Sequence, residues 1–213
     1  MQALDYSRYL ALREGAQVLE ADGSGDKVLR LTDGSILKLF RRKRLLTSAA
    51  WYPYAKRFAD NCIALRERQI PCPSIRQVYR IASIERDAVH YDPLPGQTLR
   101  QLLDTQNDAG PLRGKLGTFM ATLHERGIYF RSAHLGNIVL TPEHQLGLID
   151  IADLQVYRRP LRKGLRLRNF KHMVRYPQDR QWLLDRQGEI FMQHYAQTQS
   201  TCSPEELSSA LQK

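Results

Sequence analysis

The sequence predicts an α+β fold in which a β-rich first part is followed by a mainly helical second part. Strand-like runs separated by turn signals fill the first 92 residues. Helical periodicity dominates after the Pro-Leu-Pro-Gly sequence at residues 93–96. We therefore expect residues 1–92 to form a β-rich lobe with one long helix, residues 93–96 a hinge, and residues 97–213 a helical lobe with one hairpin.

The strands of the first lobe are predicted by apolar runs and by the turns between them. A run that starts at Gln17 and two runs on either side of Asp33 and Gly34 predict a three-stranded meander over residues 17–40. Two further strands are predicted within residues 75–92.

One helix is predicted between these two groups of strands. Residues 54–70 carry apolar side chains at a helical spacing, and the Pro-Cys-Pro sequence that follows ends the pattern. The apolar positions are Phe58, Cys62 and Leu65, with Ile63 beside them.

The second lobe begins with a predicted short helix at residues 97–106. A longer helix follows, with apolar residues at the spacing i, i+3, i+4 and i+7 and with Gly127 as its C-cap. Thr141–His144 is predicted to be the turn of a hairpin, and residues 165–196 a mostly helical tail. The apolar residues of the longer helix are Leu116, Phe119, Met120 and Leu123.

The composition excludes several classes of protein. No run approaches the ~18 apolar residues that span a bilayer. The N-terminal residues lack the basic and apolar regions of a signal peptide. Three scattered cysteines, Cys62, Cys72 and Cys202, have no metal-ligand spacing and indicate reduced thiols. We therefore expect a cytoplasmic protein.

The charge of the chain favours an anionic partner. The formal net charge is +10, and residues 158–180 hold nine basic side chains against one acidic side chain, Asp179. Such a balance suits a nucleotide, a nucleic acid, a phospholipid surface or an acidic glycolipid. A solvated helix face remains the alternative explanation of the basic stretch.

Two oxygen-bearing side chains predict a metal site. Asn137 precedes an Ile-Val-Leu run and Asp150 closes a Leu-Gly-Leu-Ile run, so they stand 13 residues apart across the predicted hairpin. Mg²⁺ takes oxygen ligands and borrows the remainder from phosphates and water. A turn-stabilising Asn and a capping Asp are the alternatives.

Taken in order, these motifs resemble the protein-kinase-like two-lobe fold, with a small β-rich N-lobe and a mainly helical C-lobe. Over roughly residues 17–195, the chain is similar to the lipopolysaccharide core kinases that act on heptose or Kdo. It is most similar to the short pseudomonad "toluene tolerance" proteins assigned to that group. The resemblance implies ATP and Mg²⁺ as cofactors, with Lys38, Asn137 and Asp150 converging on one cleft.

The resemblance also implies the other nucleotide contacts. Gly23 and Gly25 would form the turn over the phosphates, where glycines let backbone N–H groups approach anions. Lys38, which lies inside an apolar strand, would hold the α- and β-phosphates. Backbone groups near His90 and Asp92 would bind adenine. For Lys38, a position facing solvent remains the alternative.

Two positions depart from the family. Ser132 stands where relatives carry the Asp that accepts the proton of the acceptor hydroxyl. Phe58 stands where they often carry the Glu that pairs with the strand lysine, and Asp60 is two residues further on. Asp153 and His134 are the nearest candidates in sequence to replace the base. The chain is then a slow or atypical phosphotransferase, an enzyme with a substitute base, or a nucleotide-binding pseudokinase.

The basic stretch that follows Asp150 lies where kinases of this fold bind their acceptor. The resemblance implies a lipopolysaccharide core sugar or a related anionic acceptor, met at the cytoplasmic face of the inner membrane. We expect the anionic surface to be formed by Arg162, Lys163, Arg166 and Arg168. A basic nucleic-acid-binding module is a third functional class, favoured by charge alone because no recognition motif is present.

Overall fold

The computed structural model describes residues 1–23, 25–42, 52–103, 109–199 and 201–212. These residues form two compact units. The first comprises Met1–Glu67 and Cys72–Leu94, and the second comprises Arg68–Pro71 and Pro95–Lys213. The first unit contains a six-stranded sheet and the second is mainly helical, so the predicted α+β fold class is confirmed.

The first unit is built on one twisted sheet in the order β1-β5-β6-β4-β3-β2. Strand β1 is parallel to β5, and the other neighbours are antiparallel. The predicted meander, the helix after it and the two later strands are all present. Their bounds are β1 Gln2–Ala3, α1 Tyr6–Arg13, β2 Gln17–Asp22, β3 Gly25–Arg30, β4 Ile36–Arg41, α2 Tyr54–Glu67, β5 Ser74–Ile81 and β6 Arg86–Asp92.

The two faces of this sheet carry different partners. Leu37 and Leu39 belong to the core cluster that also contains Tyr9 of helix α1. Successive side chains of a strand point to opposite faces, so Lys38 lies on the other face. On that other face Phe40 stacks on Tyr54 of helix α2, with ring centroids 6.2 Å apart. The lysine-bearing strand is therefore followed by the helix that covers the lysine's own face, as in the kinase-like fold.

The second unit combines helices with short strands. The predicted hairpin is present as β9 and β10, and β7 joins its other edge. Residues 104–106, the end of the predicted short helix, lie outside the described residues. The bounds are β7 Gln97–Thr98, α3 Leu99–Leu102, α4 Gly110–Glu125, β8 Ile128–Tyr129, β9 Ile138–Leu140, β10 Leu146–Leu148, β11 Gln155–Val156, α5 Lys163–Met173, α6 Pro177–Leu183, α7 Glu189–Thr198 and α8 Pro204–Gln212.

Helix α4 ends close to where its sequence predicts. Its C-cap is Arg126, and Gly127 follows with a φ of 73°. A Cβ atom on Gly127 would lie 2.3 Å from the carbonyl oxygen of Tyr157. The glycine thus supplies both the left-handed conformation that ends the helix and the space for the neighbouring chain. No helix among the described residues has the length and apolar character that a bilayer crossing requires.

Helices α4 and α7 meet at backbone contact. A Cβ atom on Gly117 would lie 2.3 Å from the carbonyl oxygen of Phe191. We expect Gly117→Ala to lower the free energy of unfolding by about 1–3 kcal/mol, because the two helices must move apart. Denaturant unfolding followed by circular dichroism measures the loss.

Gly164→Ala is the matched control for this substitution. Gly164 lies in the first turn of α5, and nothing stands within 4 Å of its Cβ position. Its replacement should leave stability unchanged or raise it by up to ~1 kcal/mol, because Ala favours helix. Equal losses in the two variants would show that the contact at Gly117 is not tight.

His124 belongs to helix α4 and is completely buried. Its Nδ1 lies 2.8 Å from the Tyr195 hydroxyl, and its Nε2 lies 3.2 Å from Oδ1 of Asn169. An amide oxygen only accepts hydrogen bonds, so we assign the ring proton to Nε2 and the role of acceptor to Nδ1. Burial lowers the pKa of His124 from 6.5 to about 3. The ring is therefore neutral in the folded protein.

This neutral ring makes stability depend on pH. Between about pH 6.5 and pH 3, the unfolded chain binds a proton that folded His124 does not. Its contribution is complete above pH 6.5 and decreases as the pH falls, by up to about 1.4 kcal/mol per pH unit. We expect unfolding measurements from neutral to mildly acidic pH to show a shallower slope for His124→Gln than for the wild type. Parallel slopes would contradict the assignment.

Candidate metal and phosphotransfer site

The hairpin of β9 and β10 brings Asn137 and Asp150 side by side. The strands pair Ile138 with Leu148, and one step further the backbone N–H of Ile149 donates to the carbonyl oxygen of Asn137 at 3.0 Å. Asp150 comes next, with a φ of 53°, in the left-handed region that non-glycine residues seldom adopt. Backbone strain of this kind is common at functional sites.

The side chain of Asn137 is oriented by the loop that precedes it. Its Nδ2 donates to the carbonyl oxygen of Ser132 at 3.0 Å, and the residue is buried. The amide nitrogen is thus engaged with the loop, which leaves Oδ1 as the atom able to bind a cation. The exposed carboxylate of Asp150 follows at the same end of the hairpin. Among the described residues, no group of three or more His, Cys, Asp or Glu side chains could hold a metal ion.

One carboxylate and one amide oxygen fit Mg²⁺ better than other common metals. Mg²⁺ binds oxygen atoms and keeps waters or phosphate oxygens in its remaining positions. Zinc would require several nitrogen or sulfur ligands, which Asn137 and Asp150 do not offer. The donor set is therefore suited to a metal that arrives with a phosphate ligand.

Ser132 is hydrogen-bonded to a carboxylate. Its Oγ donates to Oδ2 of Asp153 at 2.7 Å. The other carboxylate oxygen, Oδ1 of Asp153, is buried and has no hydrogen-bond partner within the described ranges. Such an atom is rare in a folded protein unless it is satisfied by something that binds there. A carboxylate from another segment of the chain thus lies within hydrogen-bond distance of Ser132.

His134 lies in the same loop but is oriented differently. Its Nδ1 is buried and has no hydrogen-bond partner in the part of the chain that is described. The ring packs edge-on against Tyr176, with centroids 5.0 Å apart. Burial, and then the positive charge of Arg100, lowers the pKa of His134. No contact between this ring and Ser132 supports a role as the base, and that role stays a prediction.

Two residues that the sequence did not indicate anchor the loop. Asp179, completely buried, accepts from the backbone N–H of Leu135 at 2.9 Å and from Arg100 at 3.0 and 2.7 Å. Asn169 donates to the carbonyl oxygen of Phe130 at 2.6 Å and accepts from its N–H at 3.3 Å. Asn169 holds the backbone that precedes Ser132, and Asp179 holds the backbone that follows it. One indication of this role was present in the sequence, namely that Asp179 is the single acidic residue of the basic stretch 158–180.

In the first unit, Lys38, Phe58 and Asp60 lie in different surroundings. Lys38 is half-buried, with its Nζ 5.8 Å from the centre of the Phe40 ring. Phe58 is fully buried, and its ring stacks on Tyr91 at 5.1 Å. Asp60 accepts from the Tyr52 hydroxyl at 2.7 Å. Position 58 is therefore part of the packing of α2 on the sheet, and Asp60 is engaged at the surface.

The remaining expected nucleotide contacts are placed as follows. Gly25 opens β3 with a φ of 108°, and open space surrounds the Cβ positions of both Gly23 and Gly25. His90, in β6, pairs with a residue of β4 on one side and a residue of β5 on the other, so its peptide groups lie inside the sheet. Asp92 ends β6 and binds Arg76 at 2.6 Å. Adenine contacts would thus fall at or after Asp92. A common cleft for Lys38, Asn137 and Asp150 stays a prediction.

The expected basic surface needs one correction. Arg166 is completely buried, where it donates to Glu125 at 2.8 Å and to the carbonyl oxygen of Leu161 at 2.7 Å. The reason is helical periodicity, because Arg166 shares the inward face of α5 with Phe170. Lys163 forms an ion pair with Glu206 at 2.8 Å. The two other residues of the expected surface, Arg162 and Arg168, are exposed.

Comparisons with known proteins find solved structures of low sequence identity. No protein-family model and no curated protein matches the chain. A crystal structure of monomeric WbdD is 16% identical with a TM-score of 0.49, over 84% of this chain and 42% of that one. WbdD co-crystallised with the kinase inhibitor LY294002 is 16% identical with a TM-score of 0.46, over 82% of this chain and 46% of that one. The chain thus spans less than half the length of these structures.

Proposed function

We propose that the chain binds a magnesium nucleotide and transfers its terminal phosphoryl group to an acceptor hydroxyl. The observation that carries this proposal is the placement of Asn137 and Asp150 at one end of the hairpin, with the Asn137 nitrogen engaged by Ser132. Mg²⁺ held there would neutralise charge on the phosphate oxygens. Lys38 and the turn at Gly23 and Gly25 would hold the other phosphates.

The pairing of Ser132 with Asp153 favours an active enzyme over a pseudokinase. A serine hydroxyl has no useful basicity near neutral pH, but the carboxylate that it contacts does. In the proposed step, the Asp153 carboxylate accepts the proton of the acceptor hydroxyl. The acceptor oxygen then forms its bond to the γ-phosphorus, the bond to the β–γ bridging oxygen breaks, and the nucleoside diphosphate leaves. Ser132 holds the carboxylate in position by donating to Oδ2.

A nucleotide-binding pseudokinase remains the second candidate. The observation in its favour is Phe58, which fills the position of the helix glutamate with a buried aromatic ring. In protein kinases that glutamate positions the strand lysine for catalysis. A chain without this glutamate can still bind a nucleotide while phosphoryl transfer becomes slow or is lost.

The acceptor that we propose is an anionic glycolipid, in particular a lipopolysaccharide core sugar. The resemblance to the core kinases and the net charge of +10 support this choice. Contact with the inner leaflet would follow from the exposed cations of the basic stretch, each of which contributes about 1 kcal/mol near an anionic surface. Mass spectrometry of the core glycolipid from a strain lacking the protein tests it. We expect one phosphate to be missing, and an unchanged glycolipid would exclude this acceptor.

Nucleotide binding is expected to depend on the metal. ATP with Mg²⁺ should raise the melting temperature of the wild type, because a ligand that binds only the folded state stabilises it. Asp150→Ala should remove the part of the shift that requires Mg²⁺. Glu143→Ala is the matched control, since Glu143 is an exposed carboxylate in the turn of the same hairpin. Absence of any shift with millimolar ATP in the wild type would argue against both candidates.

The proposed base is tested by comparing two substitutions. We expect Asp153→Asn to reduce phosphoryl transfer by about 10²–10⁴-fold, the usual contribution of a general base, with the MgATP melting shift unchanged. Ser132→Ala should cost less, about tenfold or below, because it removes one hydrogen bond to a carboxylate that remains. Transfer from radiolabelled ATP to core glycolipid of the deletion strain measures both. An Asp153→Asn variant with wild-type activity would remove Asp153 from the mechanism.

A further inference from the structure

The basic stretch at residues 158–180 contains two kinds of cation. Some are committed to ion pairs, as Lys163 is with Glu206 and Arg166 with Glu125. Arg168 and Arg175 are exposed and form no ion pair within the described ranges. In the part of the chain that the structure describes, Arg168 and Arg175 are therefore cations without an anionic partner.

These cations gather around His172. Arg168 and His172 stand at i and i+4 on one side of α5. Arg175 follows in the turn after the helix, where its backbone N–H donates to the carbonyl oxygen of His172 at 3.4 Å. Burial lowers the pKa of His172, and the positive charges of Arg131, Arg168 and Arg175 lower it further. We call Arg131, Arg168, His172 and Arg175 the His172 cluster.

The His172 cluster adjoins the proposed base. The Tyr129 hydroxyl lies 3.3 Å from Nε2 of His172, and Tyr129 belongs to the strand that leads into the loop of Ser132. Arg131 immediately precedes Ser132 in that loop. The carboxylate of Asp153 is near enough to His172 to oppose the effect of the arginines on its pKa. Three guanidinium groups, and the Asp153 carboxylate that is bonded to Ser132, thus act on the same His172 ring.

Such a group of like charges is unfavourable in the free protein. Arg131, like Arg168 and Arg175, makes no ion pair within the described ranges, and all three are exposed. Like charges held close together repel, and a bound anion relieves that repulsion. Guanidinium groups match phosphate and carboxylate oxygens with two parallel hydrogen bonds.

We propose that the His172 cluster is the subsite for an anionic substituent of the acceptor, a phosphate or a carboxylate on the same sugar whose hydroxyl meets Asp153. The substrate class is then an acidic or already phosphorylated sugar, and a neutral sugar is a poor acceptor. The assignment of this anion to the acceptor rests on the proposed phosphotransferase function. The existence of the subsite does not, since it can be measured without any transfer reaction.

The test is a titration of the full-length protein followed by NMR of the His172 ring. The probes are glucose 6-phosphate and glucuronate, with glucose as the neutral comparison and MgADP present throughout to occupy a nucleotide site. His172→Gln assigns the resonance. We expect both anionic probes, and not glucose, to shift it saturably. The double substitution Arg168→Gln, Arg175→Gln should weaken binding by at least about tenfold, as expected from loss of a charge-assisted hydrogen bond.

Arg158→Gln combined with Arg159→Gln is the matched control. It removes the same charge from two exposed arginines of the same stretch, outside the His172 cluster. We expect this control to bind within about twofold of the wild type, because only general screening changes. Arg131→Gln, with Arg159→Gln as its single control, repeats the comparison without touching the contact between Arg175 and Tyr176.

The outcomes separate the two proposals. Equal weakening in cluster and control variants, or no saturable shift with the anionic probes, would overturn the subsite. Binding that is lost only in the cluster variants establishes it, whether or not MgATP stabilises the protein. If MgATP gives no melting shift while the subsite binds its probes, the phosphotransferase proposal fails and the anion site stands.

Discussion

The candidate site depends on the buried carboxylate of Asp179. Taking a charge out of water is unfavourable unless it is paired and fully hydrogen-bonded. Asp179 meets both conditions by binding Arg100 with two hydrogen bonds and the backbone N–H of Leu135 with a third. Gly136 leaves room for this arrangement, because a Cβ there would lie 3.1 Å from Nη1 of Arg100. The loop before Asn137 is therefore fixed by residues from two separate helices.

Because this loop is fixed, Ser132 is held in one position relative to Asp153. An Asp at this place would present its carboxylate to the acceptor directly. Ser132 instead donates to Asp153, which leaves one carboxylate oxygen buried and without a partner in the part of the chain described. Phosphoryl transfer relies mainly on positioning and on neutralising charge, so a carboxylate supplied from a neighbouring segment is chemically sufficient. In the proposed mechanism the acid therefore comes from Asp153 rather than from position 132.

The basic side chains of the chain differ in their surroundings in the fold. A net charge of +10 by itself indicates only that anions are attracted. The fold buries Arg166 against Glu125, so this residue is not available to an anionic partner as first expected. The exposed Lys163 forms an ion pair with Glu206. The arginines of the His172 cluster form no ion pair within the described residues, and their charges act on His172 together with that of Asp153. The proposed anion subsite thus rests on particular arginines rather than on the net charge.

The sequence by itself determined the α+β class, the meander, the helix after it and the hairpin, because periodicity and turn residues act over a few neighbours. It also placed Asn137 and Asp150 at the two ends of one hairpin, because a short hairpin fixes its own register. Only the tertiary structure decided that Asp153 reaches Ser132 and that Asp179 holds Leu135, contacts that span 21 and 44 residues. Such pairs depend on how whole elements pack, and no local pattern of spacing or hydrophobicity encodes them.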